Sequence, residues 1–203
     1  MARLSPMEQA VGTRDLLLAA ASNLLTERGP DSVTLRQVGA AVGVSRTAPY
    51  RHFRDKDDLL SAVAAENLLR FEAEMRLGAE DTAAGGTPVY RAFLAYVAVA
   101  CERPAHYRLI FGDFQINNPS EAQQAAAAAC VNYLYELVEQ GQRDGTLVLG
   151  DVRELTSLLW ATLHGLVDLT LSRHLREPLT VEGLTSMPGL ILTMLNAFAP
   201  PAS

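Results

Sequence analysis

The residues best suited to chemistry lie in a short basic segment between Thr34 and Lys56. Its charged side chains are Arg36, Arg46, Arg51, Arg54 and Lys56, opposed by Asp55 alone. The whole chain of 203 residues has a formal net charge of −6, so this segment is an exception within an acidic protein. A local cationic patch attracts phosphate, while the acidic remainder limits unspecific adhesion. The charge pattern therefore favours a nucleic-acid partner for this segment.

The residue types around the patch predict two short helices joined by a tight turn. Thr34 is typical of a helix N-cap, Gly43 of a turn residue with positive φ, and Ser45 of a second cap. The predicted helices cover 35–42 and 46–53. Their internal core and close approach come from Leu35, Val38, Gly39, Ala40, Ala41, Val42 and Val44. This pattern favours a helix-turn-helix whose second helix enters the major groove of DNA.

Several polar side chains on this unit are candidates for contacting DNA. The candidate DNA-binding residues are Thr34, Arg36, Arg46, Thr47, Ala48, Tyr50, Arg51, His52 and Lys56. Arginine can pair with guanine through two hydrogen bonds, and threonine can contact a thymine methyl group or a phosphate. Lys56 begins the next helix, whose N-terminal dipole adds to its attraction for phosphate. The alternative is that these cations form an ordinary solvated helix face.

The rest of the chain is predicted to be helical, with no strand, so the fold class is all-α with about nine helices. The further helices are predicted at 7–28, 56–77, 88–102, 104–116, 120–144, 152–175 and 180–198. Asp55 is the expected cap of the helix from Lys56, and Pro188-Gly189 should kink the last one. We expect a DNA-binding domain over 7–60 and a helical effector-binding and dimerisation domain over 61–203.

Small residues on the predicted helix 152–175 indicate a subunit interface. Ser157, Ala161 and Gly165 recur every four residues, which permits a close approach by a symmetric helix partner. A second stripe on the last helix comprises Leu184, Met187, Ile191, Leu195 and Phe198. These two helices from each subunit would form a four-helix interface. The alternative is an ordinary monomer core.

Aromatic and polar side chains in apolar surroundings could line a small-molecule pocket. The candidates are Phe93, Tyr96, Tyr107, Phe111, Phe114, Tyr133, Trp160 and His164. Ligand sites are mostly apolar with few polar anchors, so an apolar or aromatic effector is expected. The alternative is that these aromatic rings belong to the core and that His164 is a buried, hydrogen-bonded histidine.

The segment Thr13–Ala64 resembles the DNA-binding domain of the TetR family of repressors. The resemblance rests on Gly43–Ser45, Tyr50–Phe53, Lys56 and Leu59-Leu60. It implies a three-helix head on a fourth helix, and a homodimer that binds a palindromic double-stranded operator. Positions matching the family's phosphate contacts are Thr34, Tyr50, His52 and Lys56, and those on its base-reading helix are Arg46, Thr47, Ala48 and Arg51. The sequence departs from the commonest pattern at Ala48-Pro49, which leaves the base contacts open.

Two C-terminal segments extend the resemblance to one TetR subgroup. The segment Leu158–Leu169, with Trp160, His164 and Gly165, resembles the C-terminal domain of the subgroup named WHG after its Trp, His and Gly. Arg103–Phe114 is similar to the mid-domain segment of that subgroup. The resemblance does not define one ligand, so the effector remains unknown.

Other classes of protein fit the sequence less well. His164 and Asp168 share a helix face and could form an acid–base pair, but no nucleophile or phosphate-binding glycine loop accompanies them. We therefore expect no enzyme and no cofactor, and the spacing of the four histidines does not favour a metal sensor. Cys101 and Cys130 are expected to be buried core thiols, a redox pair being the alternative. With no membrane-length apolar run and no signal peptide, a cytoplasmic location is expected.

Overall fold

The computed structural model of the chain describes residues 6–175 and 186–201. In these residues the secondary structure is entirely helical, which confirms the all-α fold class. The described residues form eight α-helices: α1 (Pro6–Arg28), α2 (Leu35–Val42), α3 (Lys56–Glu80), α4 (Pro88–Glu102), α5 (Pro104–Phe111), α6 (Glu121–Arg143), α7 (Val152–Leu171) and α8 (Met187–Ala197). No helix in the described stretches has the length and apolarity needed to cross a bilayer.

The predicted α-helix over 46–53 is wrong, because the structure has only a 3-10 turn there, Pro49–Arg51. Proline has no N–H to donate to the carbonyl of Ser45 four residues earlier. Two of the local hydrogen bonds join residues three apart, from Ala48 N to the Ser45 carbonyl at 3.0 Å and from Arg51 N to the Ala48 carbonyl at 3.1 Å. A bond between residues four apart occurs only at the end of the segment, from Phe53 N to the Pro49 carbonyl at 3.0 Å. Ser45 is not a helix cap either, since this turn has no side-chain cap.

Several other helices differ from their predicted bounds; α3 continues to Glu80 rather than 77, and α7 ends at Leu171 rather than at 175. Helix α5 ends at Phe111 rather than at 116, because Gly112 adopts an extended backbone with φ −92° and ψ −165°. Helix α8 begins at Met187, and Ser186 accepts a hydrogen bond from Gly189 N at 3.3 Å as its N-cap. Pro188 therefore lies in the first turn of α8, where proline is tolerated, instead of kinking a longer helix. The predicted residues 180–185 lie outside the described residues.

The chain forms two compact units, and neither is contiguous in sequence. We call the first the N-terminal unit; it comprises the described residues up to Leu68 together with Arg103–Ala127. The C-terminal unit comprises Leu69–Glu102 and the described residues from Ala128 onwards. The functional boundary predicted between residues 60 and 61 stays a prediction.

The N-terminal unit is built around one apolar core. Its fully or nearly buried side chains include Leu17, Leu18, Leu25, Val33, Val38, Phe53, Leu59, Leu60 and Leu109. Leu109 lies on α5, far along the chain from the other members, so α5 is part of this core. Phe114 and Ile116, which follow α5, pack against the same cluster.

The C-terminal unit holds its helices together through close backbone approaches and a buried arginine. A Cβ atom on Gly78 would lie 2.7 Å from the Cβ of Ala95, so α3 and α4 meet where glycine permits it. Arg91 is only 8% exposed, and its guanidinium donates to the carbonyls of Ala79 and Gly86. These bonds satisfy a buried charge and fix the start of α4 against the end of α3.

The two cysteines have different surroundings. Cys130 is buried, as expected, and burial raises the pKa of its thiol to about 11. Cys101 is exposed, so the expectation of two core thiols is wrong for this residue. Both thiols are free, and the structure contains no disulfide between them.

Candidate nucleic-acid interface and sensor residues

Helix α2 begins and ends as its sequence predicts. Thr34 accepts a hydrogen bond from Gln37 N at 3.2 Å and donates one to Gln37 Oε1 at 2.7 Å. Gly43 has φ 75° and ψ 22°, the left-handed conformation that favours glycine. The positive φ turns the chain sharply after α2, so that the following turn folds back on the helix.

The turn packs on α2 through Gly39 and Pro49. A Cβ atom on Gly39 would lie 2.7 Å from Cγ of Pro49, and Pro49 itself is buried. Gly39 thus permits the close approach that the sequence predicted, although its neighbour is a proline ring rather than a second α-helix. The sequence pattern marked Pro49 only as a departure from the TetR family and did not predict this packing role.

Most of the candidate DNA-binding side chains are exposed, on α2 and on the segment that follows it. The exposed ones are Thr34, Arg36, Arg46, Thr47, Tyr50 and Arg51, and the half-buried ones are Ala48, His52 and Lys56. Tyr50 is 58% exposed although its ring is large and apolar. Arg54 forms an ion pair with Asp58 at 3.6 Å, whereas Arg36, Arg46 and Arg51 form none within the described residues. These three arginines are therefore available to bind an external anion.

Lys56 lies at the start of α3 and is held by contacts within the N-terminal unit. Asp55 caps the helix as predicted, accepting from Asp58 N at 2.8 Å. The Lys56 ammonium donates to the backbone carbonyl of Asp31 at 3.2 Å and lies 5.5 Å from the centre of the Phe114 ring. Phe114, a candidate for the ligand pocket, therefore contacts a candidate phosphate-binding residue.

The segment 112–120 between α5 and α6 is bonded to the first turns of α3. Asn117 donates to Asp57 Oδ2 through its backbone N–H at 3.2 Å and its side-chain amide at 2.9 Å. Ser61, which is fully buried, accepts from Ser120 N at 2.7 Å, and its hydroxyl lies 2.8 Å from Gln123 Oε1. The sequence analysis did not predict these contacts. A serine among the apolar residues of α3 nevertheless indicates a buried hydroxyl that needs a hydrogen-bond partner.

The candidate ligand-binding residues divide between the two units. Tyr107, Phe111 and Phe114 belong to the N-terminal unit, where the first two rings lie 5.2 Å apart. The candidates in the C-terminal unit are Phe93, Tyr96, Tyr133, Trp160 and His164. Their assignment to one ligand pocket remains a prediction.

Three of the C-terminal candidates contact one another. Tyr96 Oη and His164 Nε2 share a hydrogen bond of 2.9 Å, and the indole of Trp160 meets the His164 ring edge-on with centroids 4.5 Å apart. Burial lowers the pKa of His164 to about 4, only partly offset by the nearby carboxylate of Asp168. The imidazole is therefore neutral near pH 7.

A shallow cleft lies beside this group, between α6 and α7. Its volume is about 100 Å³, and its lining residues are Val131, Leu134, Tyr135, Thr156, Ser157 and Trp160. The hydroxyl of Thr156 is buried and has no hydrogen-bond partner in the described part of the chain. Among the residues described, no three His, Cys, Asp or Glu side chains are grouped as a metal site would require.

The predicted interface residues on α7 are exposed, whereas several of those on α8 are buried. On α7, Ser157 and Ala161 are exposed, and a Cβ atom on Gly165 would meet nothing within 4 Å. On α8, Ile191 is 0% and Leu195 is 6% exposed in the single chain. These two residues are therefore packed within their own chain, and their assignment to a subunit interface stays a prediction. Met187 and Phe198 are half-buried, and Leu184 lies outside the described residues.

Known proteins resemble the chain over nearly its whole length. Residues 17–63 match the family of bacterial regulatory proteins described as the tetR family, and residues 89–187 match the tetracyclin repressor-like C-terminal domain. A protein of unknown function from Rhodococcus sp. RHA1 is 24% identical, with a TM-score of 0.75 over 92% of this chain and 95% of that one. A TetR family transcription regulator from Marinobacter aquaeolei VT8 is 20% identical, with a TM-score of 0.66 over 95% and 98% of the two chains.

A third similar structure is a complex of SmeT with triclosan. It is 22% identical, with a TM-score of 0.65, and the match covers 94% of this chain and 93% of that one. At such identities the structural similarities establish the fold, whereas the two family matches cover both the helix-turn-helix region and most of the C-terminal helices. The chain therefore belongs to the TetR family of bacterial regulatory proteins.

Proposed function

We propose that this chain is a transcriptional repressor that binds a palindromic DNA operator as a homodimer and releases it when a small apolar or aromatic ligand binds. The observation that carries the proposal is the set of exposed cations on α2 and on the segment that follows it. Arg36, Arg46 and Arg51 are exposed on an otherwise acidic chain and form no ion pair within the described residues. Because its partner is DNA, we place the protein in the cytoplasm.

Different side chains are assigned different roles on DNA. Arg46, Thr47 and Arg51 are assigned to base edges, since arginine binds guanine bidentately and threonine contacts thymine. The phosphate contacts are assigned to Thr34, Arg36, Tyr50, His52 and Lys56. Because Pro49–Arg51 is a 3-10 turn, the base-reading element is short, and few side chains can carry the sequence preference. Arg51 is therefore the residue on which specificity should depend most.

The exposed face of α7 supports dimerisation. Ser157, Ala161 and Gly165 have small side chains or none, so a partner helix could approach α7 closely at these residues. Large apolar side chains flank them. Leu158 is 56% exposed and Leu169 is 44% exposed, an arrangement that is unfavourable in water unless covered. On α8 we assign Leu192, which is 46% exposed, to the interface in place of Ile191 and Leu195.

A ligand site in the C-terminal unit is supported by the surroundings of Trp160. The cleft beside its indole is lined mainly by apolar side chains together with the residues Thr156 and Ser157. Neutral His164 and Tyr96 add an aromatic group suited to an uncharged ligand. The complex of SmeT with triclosan illustrates that a protein of this fold can hold an apolar aromatic compound. Membership of the WHG subgroup remains a prediction from the Trp160, His164 and Gly165 pattern.

The test is selection of bound sequences from a random double-stranded DNA pool at a stated salt concentration. We expect a palindromic motif, because a two-fold dimer presents two identical reading elements. Arg51→Ala should relax the preference at one position of each half-site, at a cost of about 1–3 kcal/mol. Tyr50→Ala should instead weaken binding to all sequences.

The control for these variants is Arg143→Ala, which removes an exposed arginine from α6. It should leave both affinity and sequence preference unchanged. If the folded, dimeric protein enriches no sequence, or if Arg143→Ala weakens binding as much as Arg51→Ala, the assignment of the reading surface is incorrect.

A further inference from the structure

Lys56 is the only lysine in the sequence, which otherwise uses arginine. Its ammonium is anchored at two points, by the Asp31 carbonyl at 3.2 Å and by the face of the Phe114 ring at 5.5 Å. An ammonium has three N–H donors, and a cation within about 6 Å of a ring centre is attracted by it. In the described residues only one hydrogen bond uses these donors, so capacity remains for an external acceptor.

The ring of Phe114 is itself held in place. Phe114 packs against the core of the N-terminal unit, and three residues later Asn117 makes two hydrogen bonds to Asp57 Oδ2, beside Lys56 in sequence. One turn further along α3, Ser61 bonds to Ser120. The segment 112–120 is thus fastened to the same turns of α3 that present Lys56.

The Asp31 carbonyl, the other anchor of Lys56, lies shortly before Thr34, which is also a candidate phosphate-binding residue. Asp31 lies in the short 3-10 segment Pro30–Ser32, and Thr34 caps α2 directly after it. A lysine seated on the Asp31 carbonyl is therefore held beside the chain that leads to Thr34. Its long side chain would otherwise lose considerable rotamer freedom on binding DNA.

We propose that Phe114, fixed by Asn117, positions the Lys56 ammonium for a DNA phosphate. The segment 112–120 then belongs to the DNA-binding apparatus although it contributes no candidate DNA contact. This inference rests on the proposed DNA-binding function, and it makes Phe114 and Asn117 positioning residues for Lys56. Phe114 is accordingly assigned to the DNA-binding surface rather than to a ligand pocket.

The first test does not use DNA. Reductive methylation with ¹³C-formaldehyde labels the single lysine and the N-terminal amine, which gives two separate NMR signals. Because the ammonium lies over an aromatic face, we expect the Lys56 methyl signal to be shifted upfield by the ring. Phe114→Leu should move it to the position of a solvated lysine, whereas Phe111→Leu, which alters a half-buried ring paired with Tyr107, should not. A Lys56 signal at the solvated position in the wild type overturns the proposal.

The second test is a double-mutant cycle on operator DNA. Phe114→Leu should weaken binding about 3–10-fold, and the slope of log affinity against log salt should fall by up to about 1, as for loss of one phosphate contact. In the Lys56→Met background, Phe114→Leu should have no further effect. A role of Phe114 in folding alone would lower affinity equally in both backgrounds and leave the salt slope unchanged, which would overturn the proposal. Wild-type protein that binds no DNA, yet shows the ring-shifted signal, counts against the proposed function and not against the positioning of Lys56.

Discussion

His164 shares a hydrogen bond with Tyr96 and an edge-on contact with Trp160, and burial lowers its pKa to about 4 from an ordinary value near 6.5. Between these two pH values the unfolded chain binds a proton that the folded protein does not. Stability therefore rises with pH across this window and is lost as the pH falls from about 7 towards 4.

We expect His164→Gln to reduce this acid sensitivity. After discounting for partial exposure of the side chain, its contribution is on the order of 2 kcal/mol between about pH 7 and pH 4. The free energy of unfolding should be measured by denaturant titration at several pH values for both proteins. Equal pH dependence of the wild type and His164→Gln would show that another group is responsible.

Thr156 provides a second prediction for a single residue. Its buried hydroxyl has no partner among the described residues, whereas the hydroxyls of Ser157, Thr162 and Thr170 on the same helix all donate to the carbonyl four residues earlier. Replacing a buried, unsatisfied hydroxyl by a methyl group of similar shape removes a desolvation penalty. Thr156→Val should therefore raise the free energy of unfolding by about 1 kcal/mol.

The matched control is Thr162→Val, in which an exposed and bonded hydroxyl is lost from the same helix. Chemical denaturation should find a change within about 0.5 kcal/mol for this control. A loss of stability in Thr156→Val would indicate that the hydroxyl has a partner, such as an ordered water molecule in the adjacent cleft.

Among the secondary-structure elements, α2 was predictable because its ends depend on local chemistry. Thr34 and Gly43 act through their own backbone and that of residues three or four positions away. The turn after α2 was not predictable in the same way, because Pro49 both breaks the helical pattern and packs against Gly39. That contact depends on how the two elements meet, which no local pattern specifies.

The contact of Gly39 with Pro49 leads to a prediction for this pair of elements. Gly39→Ala places a methyl group 2.7 Å from Pro49 Cγ, so the turn must move away from α2. Overpacking of this kind costs about 1–3 kcal/mol, and it should also weaken DNA binding by displacing Tyr50 and Arg51. Thermal unfolding and operator affinity measure the two effects.

Gly12→Ala is the control, because a Cβ atom at that helical position of α1 meets nothing within 4 Å. Alanine has a higher helix propensity than glycine, so this variant should be neutral or more stable by up to about 1 kcal/mol. Destabilisation by both variants to the same extent would contradict the packing explanation.

On α8, apolar spacing predicted a stripe of residues but could not say what covers it. Ile191 and Leu195 have the periodicity of an interface, yet they are buried within their own chain, and Leu192 is the large apolar residue left exposed. A core and a subunit interface require the same residue types at the same spacing. Only the three-dimensional placement of α8 separates the two uses.

At the scale of the whole molecule, we expect dimerisation to depend on the small residues Ser157, Ala161 and Gly165 of α7. Ala161→Glu places a charge at the centre of the proposed interface, where it would lose its hydration against a partner helix. We expect dimerisation to weaken about 10- to 100-fold without loss of helix content. Sedimentation velocity over a range of protein concentrations measures the change.

Leu149→Glu serves as the control for Ala161→Glu. Leu149 is 81% exposed between α6 and α7 and lies outside the stripe. This variant should keep the dimer intact. Unchanged association of Ala161→Glu would move the interface to a different face of the protein.

The composition of the N-terminal unit also limits how the protein can be engineered. Arg103–Ala127 belong to this unit, and Leu109 from that stretch is 2% exposed within its core. A chimeric regulator made by joining residues 1–68 of this chain to another sensor would leave the hole that Leu109 fills and expose the apolar surface beneath Phe114 and Ile116. A working graft must carry α5 and the segment after it, so the chain has to be joined at three points: within α3 after Leu68, between α4 and α5 before Arg103, and within α6 after Ala127.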